Sequence, residues 1–179
     1  MNEINLDELK YPIGRFKPDE EYTAETIKIY IKEIEEAPAA LREALDGLND
    51  SQLDTPYRPG GWTIRQVVHH LPDSHMNSYI RFKLALTEND PEIKPYNDAD
   101  WAKLHDTFNT PVMVSVDLFD ALQHRWAMLL KGMSKDDFKK RFFHPERGLV
   151  PLDRTVALYA WHGKHHIAHI TSLRKRMGW

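Results

Sequence analysis

The chain has no cysteine among its 179 residues. That excludes disulfides, thiolate catalysis by the chain itself, iron–sulfur ligation and every zinc site that depends on sulfur. Long apolar runs are missing too. No stretch approaches the roughly 20 apolar residues of a spanning helix, and Met1 to Pro12 lacks a secretory apolar core, so a cytoplasmic protein is expected. There is no basic excess either: 24 Lys and Arg stand against 27 Asp and Glu, a formal net charge of −3. Neither a nucleic-acid partner nor a membrane partner is expected. A 41% hydrophobic, 28% charged composition at this length fits one domain, residues 1–179, with a real core. Against the missing cysteines stand ten histidines, the side chains best suited to acid, base and metal-ligand roles near neutral pH.

Residues 1–20, with Tyr11-Pro12-Ile13-Gly14 and Pro18, show no period and read as an extended arm over the body. From about Glu21 to Leu48 the residues Ile27, Ile31, Ile34, Leu41, Leu45 and Leu48 recur at helical steps. Pro38 inside this helix is expected to kink or break it. After a loop ending in Pro59-Gly60-Gly61, Thr63 and Gln66 form a capping box that opens a second helix to about Thr87, with Pro72 as an irregularity. The long link Glu88 to Pro111 reads as functional or as carrying short structure of its own. Ser115 is expected to cap a third helix, Val116 to Gly132. A helical turn from Ser134, a hairpin or loop over Arg141 to Pro151, and a last helix capped by Asp153 and ending near Met177 complete the reading. Arg174, Lys175 and Arg176 then balance the last helix's macrodipole. The result is an all-α four-helix bundle of up-down type with long links. A faint echo relates Gly47-Leu48 and Leu53, before helix two, to Gly132-Met133 and Phe138, before helix four.

Seven histidines fall in two short segments: His69, His70 and His75, then His162, His165, His166 and His169. His105, His124 and His144 are scattered and read as surface or packing residues. On a helix, His162, His166 and His169 fall within roughly 60° of one another. They share their stripe with Leu158, Tyr159, Ile170, Leu173 and Met177, so they face the core. A lone core histidine is usually a neutral packing residue with one hydrogen bond. Three on one stripe must find separate partners or share a cation, and the i, i+4 step offers two nitrogens to one metal. A third ligand must come from another helix. Periodicity leaves the choice open, since His69 and His70 lie on opposite flanks of helix two and His75 points inward but follows Pro72.

The run Trp62-Thr63-Ile64-Arg65-Gln66-Val67-Val68-His69-His70-Leu71, the segments Tyr11-Pro12-Ile13-Gly14 and Thr55-Pro56-Tyr57-Arg58, and Trp161-His162-Gly163-Lys164-His165-His166-Ile167-Ala168-His169-Ile170 together resemble the DinB-like superfamily. Within it, they are similar to the YfiT/BstA branch of bacilli. The resemblance implies a four-helix bundle, often a homodimer, with one divalent ion, zinc first and nickel second, on three histidines. The tryptophan that opens helix two precedes a ligand by eight positions, which is His70. The last helix of the family reads H-x-x-H-H-x-x-Q, whose first and third histidines are ligands and fall on His162 and His166. This chain has His169 at the glutamine position, where an orienting partner for a ligand is favoured over a catalytic base.

Three neutral nitrogens leave at least one coordination position open, as in catalytic zinc sites. Water there can reach a pKa of about 7 and attack as hydroxide, so a metal-dependent hydrolase acting on a small molecule is the first expectation. It is not an H-E-x-x-H peptidase, because Gly163 follows the first ligand. Asp73 and His169 are the nearest titratable side chains for catalysis. The resemblance also implies an alternative, a bacillithiol S-transferase; a metal deprotonates a bound thiol, and with no cysteine in the chain that low-molecular-weight thiol must be a cosubstrate. A non-enzymatic bundle or dimer held by its metal is the third reading.

Overall fold

The computed structural model describes residues 6–179, so the first five residues of the expected arm lie outside the described residues. The elements follow as α1 (Leu6–Lys10), α2 (Ala24–Leu45), α3 (Asp50–Leu53), α4 (Ile64–Thr87), α5 (Asp98–Trp101), α6 (His105–Asn109), α7 (Val112–Lys131), a 3-10 turn (Asp137–Lys139), β1 (Arg141–His144), β2 (Gly148–Pro151) and α8 (Leu152–Met177). The four long helices make the bundle. Both α2 and α4 pack against α7 and α8, so α2 and α4 stand on one diagonal and α7 and α8 on the other.

Helices adjacent in sequence can be diagonal because the links 46–63 and 132–151 are long enough to cross an end of the bundle. The two links are built alike. Each has a helical turn that buries one apolar side chain, Leu53 or Phe138. Each then pairs antiparallel just before its helix, as the bridge Pro56 to Thr63 or as the β1–β2 hairpin with Phe142 opposite Val150. This likeness is the physical content of the sequence echo.

Thr63 caps α4 as expected: its hydroxyl accepts from the Gln66 amide at 3.2 Å, and Gln66 Oε1 accepts from the Thr63 amide at 3.0 Å. Other boundaries differ from the sequence reading. Pro38 sits inside an unbroken α2. Its ring leaves the Ile34 carbonyl without a helical donor, and Gln123 Nε2 donates to that carbonyl instead at 3.2 Å. Helix α7 begins at Val112, behind Pro111, so Ser115 is a buried residue of its first turn and not its cap. Its hydroxyl meets His69 Nδ1 at 2.6 Å. Asp153 likewise lies inside α8, after Pro151 at the cap position, and its carboxylate takes Lys139 at 2.8 Å. The link 88–111 carries α5 and α6, and the arm carries α1.

The core divides into two apolar clusters. One holds Ile31, Phe82, Trp126, Leu130 and Val156; the other holds Leu41, Val67, Leu71, Phe119 and Ile170. On three helices the gap between the clusters is polar: His75 on α4, Gln123 on α7 and His162 on α8. A buried polar layer at mid-bundle, with hydrocarbon above and below, is what positions the site. Among the described residues no helix is long and apolar enough to cross a membrane.

Candidate metal centre

Two helices supply the nitrogens, α4 through His70 and α8 through His162 and His166. The i, i+4 step on α8 sets the rings of His162 and His166 edge to face with centroids 4.5 Å apart. His70 approaches from α4, its ring 5.3 Å from that of His162 and 4.9 Å from that of His166. One nitrogen from each of the three rings lies within 4.8 Å of the others. Trp62 closes over the group, 4.8 Å from the His70 ring and 6.4 Å from the His166 ring. Of the three candidates that periodicity leaves open on α4, the one that stands beside His162 and His166 is His70, the residue the resemblance implies. His69 turns away to Ser115, and His75 lies behind His162.

The donor set fits a divalent ion. The Nε2 atoms of His70 and His162 stand 3.4 Å apart; two nitrogens, each about 2.0–2.1 Å from a tetrahedral ion, would be separated by roughly 3.3–3.4 Å. Burial pushes the pKa of His70 down to about 4 and those of His162 and His166 well below the ordinary histidine range. All three rings are therefore neutral near pH 7, the form that offers a lone pair.

A buried contact bears on which nitrogen of His162 carries that lone pair. His75 Nε2 lies 3.2 Å from His162 Nδ1, so one of the two donates to the other. With His162 offering Nε2 to an ion, its Nδ1 carries the proton and donates to His75 Nε2. Gln123 spends its amide N–H on the Ile34 carbonyl, and its oxygen and His75 Nδ1 are both buried without a hydrogen-bond partner among the described residues. His75 is fully buried, between Phe119, Trp126 and Tyr159.

His169 is buried, as its stripe suggests, but its hydrogen bond goes to the arm and not to a ligand ring. Its Nε2 meets the Lys10 carbonyl at 3.0 Å and its ring stacks on Tyr57 at 3.9 Å. Its ring touches that of His166 with centroids 5.4 Å apart, without a hydrogen bond to it. Asp73 is half-buried on α4, and its pKa is pushed up to about 6 by desolvation and by the charge of Asp106; it does not line the pocket above the nitrogens. His165 stacks on Trp161 at 4.3 Å.

That pocket, of about 350 Å³, is bordered by His70, His162, Ser74, Tyr96, Tyr159 and His144, among others. Sequence reasoning missed Ser74, Tyr96 and His144. Of the three scattered histidines, His105 and His124 are exposed, but His144 is buried at the end of β1. Neither Tyr96, in an irregular link, nor His144, in a short hairpin, carries a local periodic signal that would place it beside α4 and α8.

Fold and nitrogen cluster together define a four-helix bundle with a three-histidine cluster, able to hold a metal ion, between its second and fourth long helices. The chain belongs to the DinB superfamily, whose family model it matches over residues 33–170. Among curated relatives, one from Oceanobacillus iheyensis is 53% identical over 95% of this chain and 98% of its own length. Another, from Bacillus cereus strain ATCC 14579, is 55% identical over 97% of this chain and all of its own. Both relatives carry a name containing the words "Putative metal-dependent hydrolase". Among solved structures, YfiT from Bacillus subtilis, a four-helix bundle of unusual topology, is 50% identical with a TM-score of 0.94, covering 96% of this chain and 99% of its own. TT2238, a four-helix bundle protein at 19% identity and a TM-score of 0.54, covering 79% of this chain and 95% of its own, shares the fold.

Proposed function

We propose that the chain is a metal-dependent hydrolase of small molecules whose divalent ion, zinc or nickel, is held by His70, His162 and His166. The observation that carries this reading is that three neutral imidazoles converge and two of them, His70 and His162, border an open pocket. A purely structural ion would be enclosed by the protein, whereas His70 and His162 border a cavity that a small molecule can enter. The names of the relatives from Oceanobacillus and Bacillus support the same class. When bound, the ion would supply Lewis acidity and bring the pKa of a coordinated water toward about 7.

The chain's own residues position groups and move protons. His75 positions His162 through the 3.2 Å contact at its Nδ1. Tyr96, its pKa pushed up to about 12 by burial, keeps its proton near neutral pH and offers a hydroxyl donor into the pocket. We assign proton acceptance to Asp98, because this carboxylate both lines the pocket and acts electrostatically on the His70 ring. Asp98 takes this role in place of Asp73, which lies outside the pocket.

The test compares metal-loaded and metal-stripped protein on nitrophenyl esters and anilides, with and without an added low-molecular-weight thiol. Metal-dependent turnover without thiol is the expected result. Turnover only with thiol would overturn the hydrolase reading in favour of the S-transferase, and metal binding without turnover in any arm would overturn it in favour of a structural ion.

A further inference from the structure

The pocket beside the nitrogens holds an arrangement that metal binding does not explain. Arg81 projects into it from α4 and Arg147 from the turn between β1 and β2. Both act electrostatically on His144, from opposite elements. Four arginines elsewhere, Arg15, Arg42, Arg65 and Arg141, are held in ion pairs, while Arg58, Arg174 and Arg176 donate to backbone carbonyls and Arg125 lies over the Tyr79 ring. Buried Arg65 is clamped by Asp54 at 2.6 Å and Asp50 at 2.9 Å, and Arg141 is held by Asp90 at 2.7 Å. Among the described residues, neither Arg81 nor Arg147 forms an ion pair with any carboxylate, although Asp98 and Glu146 line the same pocket. Arg81 is half-buried, and a partly desolvated guanidinium without a counter-charge is costly unless a ligand supplies one.

His144 adds a third donor. Its Nδ1 accepts the Glu146 amide at 3.2 Å, so the neutral ring carries its proton on Nε2. Burial, then Arg147 and Arg81, lower its pKa, with Glu146 opposing; near pH 7 the ring is an N–H donor and adds no charge. Two guanidinium forks and one imidazole N–H, drawn from α4, the hairpin turn and β1, thus share a cavity of about 350 Å³ with two of the three ring nitrogens. Guanidinium forks match the spacing of carboxylate and phosphate oxygens. Asp98 acts on His70 and the arginines on His144, with Tyr96 between them under the influence of both Asp98 and Arg81.

We propose that Arg81, Arg147 and His144 form an anion-binding subsite, so that the substrate is a small molecule carrying a carboxylate or phosphate apart from the group that reacts. This rests on the hydrolase reading for what reacts at the nitrogens, but the subsite itself is measurable without turnover.

Metal-loaded protein is titrated calorimetrically with succinate, with inorganic phosphate and with neutral succinamide, and metal content is measured in every variant. The wild type is expected to bind at least one of the two anions and to ignore succinamide; the arm that binds distinguishes carboxylate from phosphate. Arg81→Gln and Arg147→Gln should each weaken that anion about tenfold with the metal retained, and Arg81→Lys should recover part of the loss. No anion binding by the wild type overturns the proposal. So does unchanged affinity in the double Gln variant, which would place the anion on the ion alone. A second arm compares nitrophenyl acetate with nitrophenyl hemisuccinate. A hemisuccinate preference that collapses in the Arg variants supports the subsite. Equal hydrolysis of both esters by every variant overturns the subsite and leaves the hydrolase standing. Arginine-dependent anion binding without any hydrolysis does the reverse.

Discussion

Gln123 Nε2 donates to the Ile34 carbonyl at 3.2 Å, the carbonyl that Pro38, four residues on, leaves without a helical donor. A proline that sequence rules would place at a break thus remains inside a continuous helix, and the side chain that satisfies the orphaned carbonyl also turns its oxygen toward His75. Gln123→Leu should therefore cost about 1–3 kcal/mol in unfolding free energy, the penalty of stranding buried polar groups. It should also weaken metal binding, because His75 loses the polar neighbour of the ring that meets His162 Nδ1. Pro38→Ala restores the helical donor to Ile34. In the double variant, stability should recover in part while metal affinity stays low. Chemical denaturation and metal titration on the four proteins of this cycle separate the two effects; equal recovery of both would break the link between Gln123 and His162.

Ligand and partner histidines should sort by metal content. His70→Ala, His162→Ala and His166→Ala should each release most of the metal. His75→Ala, which removes only the partner of His162, should weaken binding about 10–100-fold. His165→Ala should leave it near wild type, since that ring stacks on Trp161 at the edge of the cluster. Metal analysis after equilibrium dialysis reads all five. Retention of full metal by His162→Ala would remove the ligand assignment.

Much of this architecture was legible in the sequence, for definable reasons. Helix α4 announces itself through Thr63 and Gln66, because a capping box is local chemistry. That His162, His166 and His169 share one core-facing stripe follows from helical geometry alone, and the resemblance to the family singles out His162 and His166. What was not legible depends on contacts between distant segments. The i, i+4 rule cannot choose among His69, His70 and His75, because the choice is made by how α4 rotates against α7, where Ser115 claims His69. The diagonal placement of α2 and α4 is set by links whose only trace is a weak echo around Leu53 and Phe138. Tyr96 and His144 reach the pocket from irregular chain, where no period exists to read.

Asp73 should behave as a destabilising carboxylate without a catalytic role. Its pKa in the folded chain is pushed up to about 6 by burial and by Asp106, above the roughly 3.9 of an unfolded aspartate. Between those values the native state holds a proton that the unfolded state has released, so stability falls as pH rises through the window and the full cost remains above it. Asp73→Asn should raise the melting temperature at pH 7 and leave it almost unchanged near pH 3.5, with metal-dependent turnover retained. Loss of turnover at full metal occupancy would return Asp73 to the catalytic site.

His169 stands where the family pattern has glutamine, which makes His169→Gln a discriminating substitution. The ring's observed partners are the Lys10 carbonyl of the arm and the face of Tyr57; a glutamine amide can still donate to that carbonyl, whereas it cannot act as a base near neutral pH. If His169 ties the arm across the back of the His166 ring, the glutamine variant should keep its metal, its stability and its pH–rate profile. His169→Ala should lose the arm's anchor, leaving the backbone around Lys10 to exchange faster in hydrogen–deuterium measurements. If His169 is instead a proton acceptor, both variants should fall in kcat together while metal content and exchange stay unchanged. The geometry favours the first outcome, because the hydrogen bond from Nε2 is committed to the backbone and no nitrogen of this ring lines the pocket shared by His70 and His162.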